Sequence, residues 1–150
     1  MCRPRPWLLM AATVVLLASA DPPPATGFGP PTTETRRVRV DPGGHYIDVS
    51  VAGLAAMLRT ESFVLINVHI PYEGEIPGTD VSIPFDEIGA QLDRLPGDRH
   101  APVVLYCRSG RMSALAARSL VTLGYTDVWN VVGGMMAWHD AGRPLVRRGR

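Results

Sequence analysis

The fold of this chain is decided by the stretch Val103-Val104-Leu105-Tyr106-Cys107-Arg108-Ser109-Gly110-Arg111-Met112-Ser113. Its first four residues are apolar, as expected for a buried strand, and a short polar turn follows the cysteine. Beyond the turn, apolar residues recur at the spacing of a helix face that packs on a core, namely Met112, Leu115, Ala116, Leu120 and Leu123. Cys107 therefore lies between a strand and a helix N-terminus, where free N–H groups and the helix dipole favour a thiolate or a bound anion.

The N-terminal segment 1–20 is typical of a secretory signal peptide. Two arginines precede an apolar run from Trp7 to Leu17, and Ala18-Ser19-Ala20 provides a small-x-small cleavage site. A membrane anchor is the alternative, but the run from Trp7 to Ala20 is about 14 residues long, whereas a spanning helix needs about 20. We expect cleavage after Ala20 and export to the periplasm or the medium, with no membrane anchor on the mature chain.

Loss of this segment removes Cys2 and leaves Cys107 as the only cysteine of the mature chain. No intrachain disulfide is then possible, so an exported protein with one free thiol needs a reason for it. An inert buried thiol is one explanation, because free cysteine is among the most buried residue types. The glycine turn and the two arginines after Cys107 favour the other one, a catalytic nucleophile.

The chain of 150 residues, with 46% apolar and 19% charged residues, has the composition of one globular domain, and its net charge of +1 does not call for a nucleic-acid partner. After the signal peptide, residues 21–44 are rich in proline and read as a linker, although Val38 and Val40 alternate with arginines and allow a short edge strand. The domain is predicted to span 45–146, and a basic tail covers 147–150.

Strand and helix patterns alternate through this domain. Strands are predicted at 46–49, 63–68, 81–83, 103–106 and 128–132. A helix is predicted at 51–59, with Ser50 as its N-cap, and a second one after Asp86, with Ile88, Leu92 and Leu95 toward the core. A third helix is predicted from Met112 to a left-handed Gly124. A short fourth helix contains Met136 and Trp138 and ends near Gly142. The alternation predicts an α/β fold with three layers, a parallel sheet flanked by helices on both faces.

Ligands of open parallel sheets bind beyond the carboxyl ends of the strands. Cys107 follows one strand and Asn67-Val68-His69 ends another, so we expect the site in the crevice between these two loops. The candidate substrate-binding residues are Arg108, Ser109, Gly110, Arg111, Met112, Ser113 and His69. Gly110 is expected to have positive φ. The two arginines are interpreted as anion-binding groups or, alternatively, as surface charges, and with the loop amides they are plausible causes of a lowered thiol pKa.

Three stretches resemble single-domain rhodaneses, which are sulfurtransferases. The first is the segment from Tyr106 to Ser113. The second is Leu123-Gly124-Tyr125, followed by Val128, Gly133-Gly134 and Trp138. The third is Glu75-Ile76-Pro77-Gly78-Thr79, followed by Ile83-Pro84, and it is similar to the family's Gly-His-Ile-Pro-Gly-Ala. The resemblance implies the rhodanese fold and a persulfide mechanism. Cys107 would take sulfane sulfur from a small donor such as thiosulfate and pass it to a thiol or protein acceptor, without a cofactor.

The chain also departs from the family. Asn67-Val68-His69 stands where the family commonly has Asp-Val-Arg, and the loop that follows to Gly78 is shorter. His69 either replaces part of the missing charge pair or is a solvent-exposed residue at a strand end. Three acidic residues of this loop place negative charge near the mouth unless they point outward, namely Glu73, Glu75 and Asp80.

Three functions stay open at this point. An exported sulfurtransferase is favoured, and a non-catalytic or sensory sulfur-binding module is the alternative that the missing charge pair supports. A cysteine phosphatase or arsenate reductase is disfavoured, because those enzymes resemble Cys-x5-Arg and position 113 here is serine. Gly133-Gly134 is interpreted as a turn rather than a phosphate cradle. No metal site is predicted, because His45, His100 and His139 lack ligand spacing.

Overall fold

The computed structural model describes residues 35–148. The predicted signal peptide and the first part of the predicted linker lie outside them. The centre of the fold is a six-stranded sheet with the order β1-β2-β6-β5-β3-β4. The strands are β1 Thr35–Arg39, β2 His45–Val49, β3 Val64–Asn67, β4 Val81–Ser82, β5 Val103–Tyr106 and β6 Val128–Val131. All neighbours are parallel except β1, which runs antiparallel to β2 at the edge of the sheet.

The edge strand β1 begins within the segment 21–44, where the sequence predicts a linker. It pairs Thr35 with Val49 and Arg39 with His45, so the sheet starts ten residues before the predicted start of the domain at residue 45. The alternation of Val38 and Val40 with arginines indicated this strand.

Three helices cover the two faces of the sheet, as predicted for an α/β fold. They are α1 Val51–Thr60, α2 Arg111–Thr122 and α3 Gly134–Asp140. Helices α1 and α3 bury Leu54, Met57 and Trp138 on one face, whereas α2 buries Ala117 and Leu120 on the other. Between residues 35 and 148, no helix is long and apolar enough to cross a membrane.

The helix ends follow the sequence signals at two places. The hydroxyl of Ser50 accepts a hydrogen bond of 3.0 Å from the N–H of Gly53, which confirms the predicted N-cap of α1. At the end of α2, Gly124 has φ 93° and the N–H of Tyr125 donates to the carbonyl of Leu120 at 3.0 Å, which confirms the predicted left-handed glycine.

The helix predicted after Asp86 is wrong. The segment forms two single 3₁₀ turns, Ile88–Ala90 and Leu92–Arg94, and neither turn has a side-chain N-cap. Pro84 and Pro96 bound this stretch, and Gly89 within it weakens a helix by about 1 kcal/mol.

The predicted core face of α2 is wrong in part. Leu115 and Leu123 are 49% and 39% exposed, whereas the buried face carries Ser113, Ala116, Ala117, Leu120 and Val121. The two alanines let the helix backbone lie close to the sheet, because they leave little side chain in between. The buried face therefore carries mostly small residues and places Ser113 next to the turn that follows Cys107.

Candidate active site

Two neighbouring parallel strands bring the predicted site together. Asn67 at the end of β3 is the register partner of Tyr106 at the end of β5. The N–H of Val68 donates to the carbonyl of Tyr106 at 2.9 Å, so the two chains leave the sheet side by side. Cys107 and His69 consequently lie in loops at the same edge of the sheet, as the strand pattern predicts.

The thiol of Cys107 lies inside a turn that donates hydrogen bonds to it. The N–H of Gly110 is 3.1 Å from Sγ, and the hydroxyl of Ser113 is 3.6 Å from Sγ. Cys107 is only 1% exposed and Ser113 is fully buried, so these donors act in a largely water-free environment. Such a loop stabilises negative charge on sulfur.

Two opposing effects set the pKa of Cys107. Burial of the thiol raises the pKa, whereas hydrogen bonds from the backbone and hydroxyl of Ser113 and from the backbones of Ser109 and Gly110 lower it. The hydrogen bonds outweigh burial, and the pKa of Cys107 lies below its ordinary value. The main contributions that lower the pKa come from loop amides and one hydroxyl, ahead of any from Arg108 or Arg111.

Gly110 has φ 90°, which confirms the predicted positive φ. A Cβ on this residue would lie 3.0 Å from the nitrogen of Gly133 and 3.2 Å from the carbonyl oxygen of Val131. The glycine therefore allows both the tight turn around Sγ and close contact with the loop after β6.

The Gly133-Gly134 turn supports the loop that bears Cys107, a role that the sequence did not predict. The N–H groups of Met135 and Met136 donate to the carbonyls of Cys107 and Arg108 at 2.9 and 3.0 Å. A Cβ on Gly134 would lie 2.0 Å from the carbonyl oxygen of Cys107. The available signal was the glycine pair itself, because two adjacent glycines at a helix start permit a close backbone approach.

Asn67 organises the loop that faces the thiol. Its Nδ2 donates to the carbonyl of Gly74 at 3.0 Å, and its Oδ1 accepts from the N–H of His69 at 3.0 Å. The side chain is buried, so both bonds are protected from water. A carboxylate at this position would lack the donor for Gly74, which explains how the shorter loop uses an amide where the family commonly has aspartate.

Glu73 joins the two loops of the site. Its Oε2 lies 3.3 Å from Nε2 of His69 and 3.3 Å from Nε of Arg108. The side chain of His69 is 8% exposed, which excludes the solvent-exposed interpretation. Neither ring nitrogen of His69 makes a well-formed hydrogen bond within the described residues, so its contact with Glu73 is an ion pair only when the imidazole is protonated.

The other two acidic residues of this loop point away from the mouth. The carboxylate of Asp80 accepts from the N–H of Leu65 at 2.8 Å. Glu75 is buried, pairs its backbone with Val146, and accepts from Nε of Arg148 at 2.9 Å. Arg148 also donates to the carbonyls of Thr79 and Asp80, at 3.0 Å each. The segment 146–148, whose last two residues belong to the predicted tail, therefore holds the loop between β3 and β4 in place.

Tyr106, at the end of the strand before the cysteine, is hydrogen-bonded to the loop between β3 and β4. The hydroxyl of Tyr106 accepts from the N–H of Ile76 at 3.0 Å and is hydrogen-bonded to Oγ1 of Thr79 at 2.6 Å. Burial raises the pKa of Tyr106, so its hydroxyl stays protonated and serves as a structural hydrogen-bonding group.

Two of the predicted substrate-binding residues, Arg111 and Met112, make none of the described side-chain hydrogen bonds to the thiol. Arg111 lines a pocket of about 310 Å³ that includes Ser109 and Gly110 of the same turn, and it has no ion-pair partner within residues 35–148. Met112 packs against the core on the inner side of α2. Ser109 is exposed and contributes its backbone to the thiol, so the groups nearest to Sγ come from Ser109, Gly110 and Ser113.

Comparisons with known proteins agree with this geometry. The Rhodanese-like domain model matches residues 50–141. A sulfurtransferase of Allochromatium vinosum is 38% identical over 58% of this chain and 81% of its own length. Thiosulfate sulfurtransferase GlpE of Vibrio cholerae is 25% identical over 67% of this chain and 95% of its own length.

A solved structure has the same fold. The crystal structure of a rhodanese-related protein from Thermoplasma volcanium aligns with a TM-score of 0.58 and 26% identity, over 67% of this chain and 98% of that one. The family match and the two sulfurtransferase relatives support a sulfurtransferase-type function. The family match covers more than half of the chain, and the protein belongs to the rhodanese-like domain family.

Proposed function

We propose that this protein is an exported sulfurtransferase that moves a sulfane sulfur, from a donor such as thiosulfate or a persulfide, to a thiol or another nucleophile. The observation that carries the proposal is the thiol of Cys107, which has the N–H of Gly110 at 3.1 Å and the hydroxyl of Ser113 at 3.6 Å and a pKa below its ordinary value. A thiolate is the attacking species in such chemistry.

The reaction has two steps. The Cys107 thiolate attacks the terminal sulfur of the donor, the S–S bond of the donor breaks, and the rest of the donor leaves with the electron pair. The product is a Cys107 persulfide with its charge on the outer sulfur, next to the N–H groups of the turn. An acceptor nucleophile then attacks that outer sulfur, and Cys107 leaves as the thiolate from which the cycle began.

The loop is suited to sulfur rather than to a tetrahedral oxyanion. Ser113 occupies the position where Cys-x5-Arg enzymes carry their arginine, and its hydroxyl points at Sγ. The turn therefore offers hydrogen-bond donors to a singly charged sulfur, with a hydroxyl instead of a guanidinium at position 113.

A single-turnover assay tests this function. With thiosulfate and no acceptor, we expect the wild-type protein to release sulfite, up to one equivalent per Cys107. Cys107→Ser should fold normally and release none, because the exchange is nearly isosteric and removes only the nucleophile. Absence of sulfur uptake from thiosulfate and from organic donors would contradict the enzyme and favour a sulfur-binding module.

Export is a separate part of the proposal. It rests on the basic and apolar pattern of residues 1–20 and on the Ala18-Ser19-Ala20 site. N-terminal sequencing of the protein recovered from outside the cytoplasm of its host should begin at Asp21. A sequence that begins at Met1 on the exported protein contradicts cleavage.

A further inference from the structure

The exposed face of α2 carries positive charge that no carboxylate offsets. Arg111 and Arg118 are both exposed, and the helix contains no acidic residue. Neither guanidinium has an ion-pair partner among residues 35–148. The nearby carboxylate of Asp48 is buried and already paired with Arg36 on β1, so it leaves the charge of α2 unopposed.

The position of Arg111 does not serve the stability of the helix. It is the first residue of α2, where the positive end of the helix dipole disfavours a cation. Its side chain makes no hydrogen bond within the described part of the chain, whereas Arg118 at least lies over the ring of Tyr46. The guanidinium of Arg111 is therefore available to an anion from outside the domain.

Exposed apolar side chains lie next to these charges. Leu115 is 49% exposed, and its spacing from Arg111 and Arg118 places the three residues on one face of the helix. Val132, also 49% exposed, lines the pocket of about 310 Å³ that Arg111 lines. We call Arg111, Leu115, Arg118 and Val132 the α2 surface. Arginine is enriched in protein–protein interfaces, and exposed apolar side chains favour association because they lose contact with water.

The α2 surface borders the turn that holds the thiol. Ser109, Gly110 and Arg111 line the same pocket, and the N–H of Gly110 lies 3.1 Å from Sγ of Cys107. Because Cys107 itself is 1% exposed, a partner protein contacts mainly the surface around the turn. A partner seated on the α2 surface is thus adjacent to the turn that bears the transferable sulfur.

We propose that the α2 surface docks an acidic protein that accepts the sulfur from Cys107. This inference deepens the proposed function and rests on it. Guanidinium groups bind carboxylates through two parallel hydrogen bonds, and attraction between opposite charges speeds association. A small inorganic anion would use the arginines but gain nothing from Leu115 and Val132, so a protein fits the surface better.

The transfer to the docked partner is balanced. The thiol of the partner gives its proton to the outer sulfur of the Cys107 persulfide, and its own sulfur bonds to that outer sulfur. The bond between the outer sulfur and Sγ breaks, and the electron pair stays on Sγ. The partner then carries –S–SH, and Cys107 is again a thiolate.

Synthetic cysteine peptides as acceptors test the charge preference. The full-length protein is loaded with sulfur from thiosulfate or an organic persulfide and freed of the donor. It is then mixed with a peptide that carries a single cysteine among glutamates, or with the same peptide carrying glutamines instead. The rate of persulfide formation on each peptide is measured at low ionic strength, and the ratio of the acidic to the glutamine peptide is the readout.

Arg111→Glu is the test variant, and Arg59→Glu is its control. Both replacements change the net charge equally, but Arg59 is exposed on α1, on the opposite face of the sheet. Glutamate at the first position of a helix is favoured by the dipole, so Arg111→Glu should fold. We expect the ratio to fall about tenfold in Arg111→Glu and to stay unchanged in Arg59→Glu, and the wild-type ratio should fall as salt is added. A change in the reactivity of the persulfide itself affects both peptides and cancels in the ratio.

The outcomes separate the inference from the proposed function. An equal ratio in wild type and Arg111→Glu, with normal loading of Cys107, would overturn the inference and leave the proposed function intact. Loss of the ratio on addition of sulfate, but not of chloride at the same ionic strength, would assign the surface to a small dianion and also overturn it. If no donor loads Cys107 with sulfur, the proposed function fails and the inference fails with it.

Discussion

The N–H of Met135 donates a hydrogen bond of 2.9 Å to the carbonyl oxygen of Cys107. The first turn of α3 thus supports the residue that bears the thiol. Gly134 makes this contact possible, because a side chain at that position would overlap the carbonyl of Cys107. The shape of the candidate site depends on a residue that contributes no functional group.

Gly134→Ala should therefore disturb the site and not only the turn. The added Cβ lies 2.0 Å from the oxygen of Cys107, in addition to the strain of φ 52°. Gly142→Ala is the control, because Gly142 has φ 72° and nothing within 4 Å of the added Cβ. We expect the control to lose about 1–2 kcal/mol of stability, and Gly134→Ala to lose more than that along with sulfur transfer. Thermal unfolding and the thiosulfate assay measure both effects, and equal behaviour of the two variants would refute the steric argument.

The pH dependence of thiol reactivity follows from the direction of the pKa shift. Because the pKa of Cys107 is lowered, its thiolate persists below the pH at which an ordinary cysteine, with a pKa of about 8.5, becomes protonated. The same shift contributes to folding stability above the unfolded-state pKa, and this contribution is lost as pH falls through the folded-state pKa. Ser113→Ala removes a donor to the charged sulfur and should raise the pKa by about one unit.

Iodoacetamide alkylation followed as a function of pH measures this change. Ser119→Ala is the matched control, since Ser119 lies on the same helix and donates to the carbonyl of Leu115 at 3.2 Å. The control should keep the wild-type profile. An unshifted alkylation midpoint in Ser113→Ala would show that the hydroxyl does not stabilise the thiolate.

Replacing Asn67 by the aspartate that the family commonly has should weaken the site. Asn67→Asp removes the Nδ2 donor to the carbonyl of Gly74 and brings a carboxylate close to that oxygen. We expect a loss of about 1–3 kcal/mol, measured by chemical denaturation, and slower sulfur transfer. The deficit in stability should shrink at low pH, where a protonated carboxyl again offers a donor. A variant as stable and active as the wild type would mean that the amide does not organise this loop.

Arg148 should stabilise the loop between β3 and β4 through its ion pair with Glu75. Arg148→Ala leaves a carboxylate that is 5% exposed without its guanidinium partner, so it should destabilise the domain and raise the donor KM. Adding Glu75→Gln should recover part of the stability, because a neutral amide is less costly to bury than an unpaired charge. Arg147→Ala is the control, as Arg147 makes no side-chain hydrogen bond or ion pair in the described part of the chain. Thermal unfolding of Arg148→Ala, Glu75→Gln, the double variant and Arg147→Ala tests the coupling, and additive effects of the two single changes would argue against it.

The parts of the fold that the sequence predicted are those with local signals. Apolar runs mark the strands. Ser50 and Gly124 mark helix ends, because each acts through contacts with residues close to it in the chain. The choice of which α2 residues face the sheet depends on packing against the sheet, and so do the two 3₁₀ turns after Asp86. No local pattern encodes that packing. At the site, the cysteine turn was predictable, whereas the contacts of Glu73, Gly134 and Arg148 join segments that are distant in the chain.

The intact mass of the protein after exposure to a sulfane-sulfur donor tests the central claim most directly. We expect wild-type protein to gain about 32 Da, one sulfur atom, and to return to its original mass on treatment with a thiol reductant, which separates a persulfide from irreversible addition of two oxygen atoms. Cys107→Ser should gain nothing under the same conditions. A reducible gain of the same size in Cys107→Ser, or no gain in the wild type with any donor, would contradict a Cys107 persulfide.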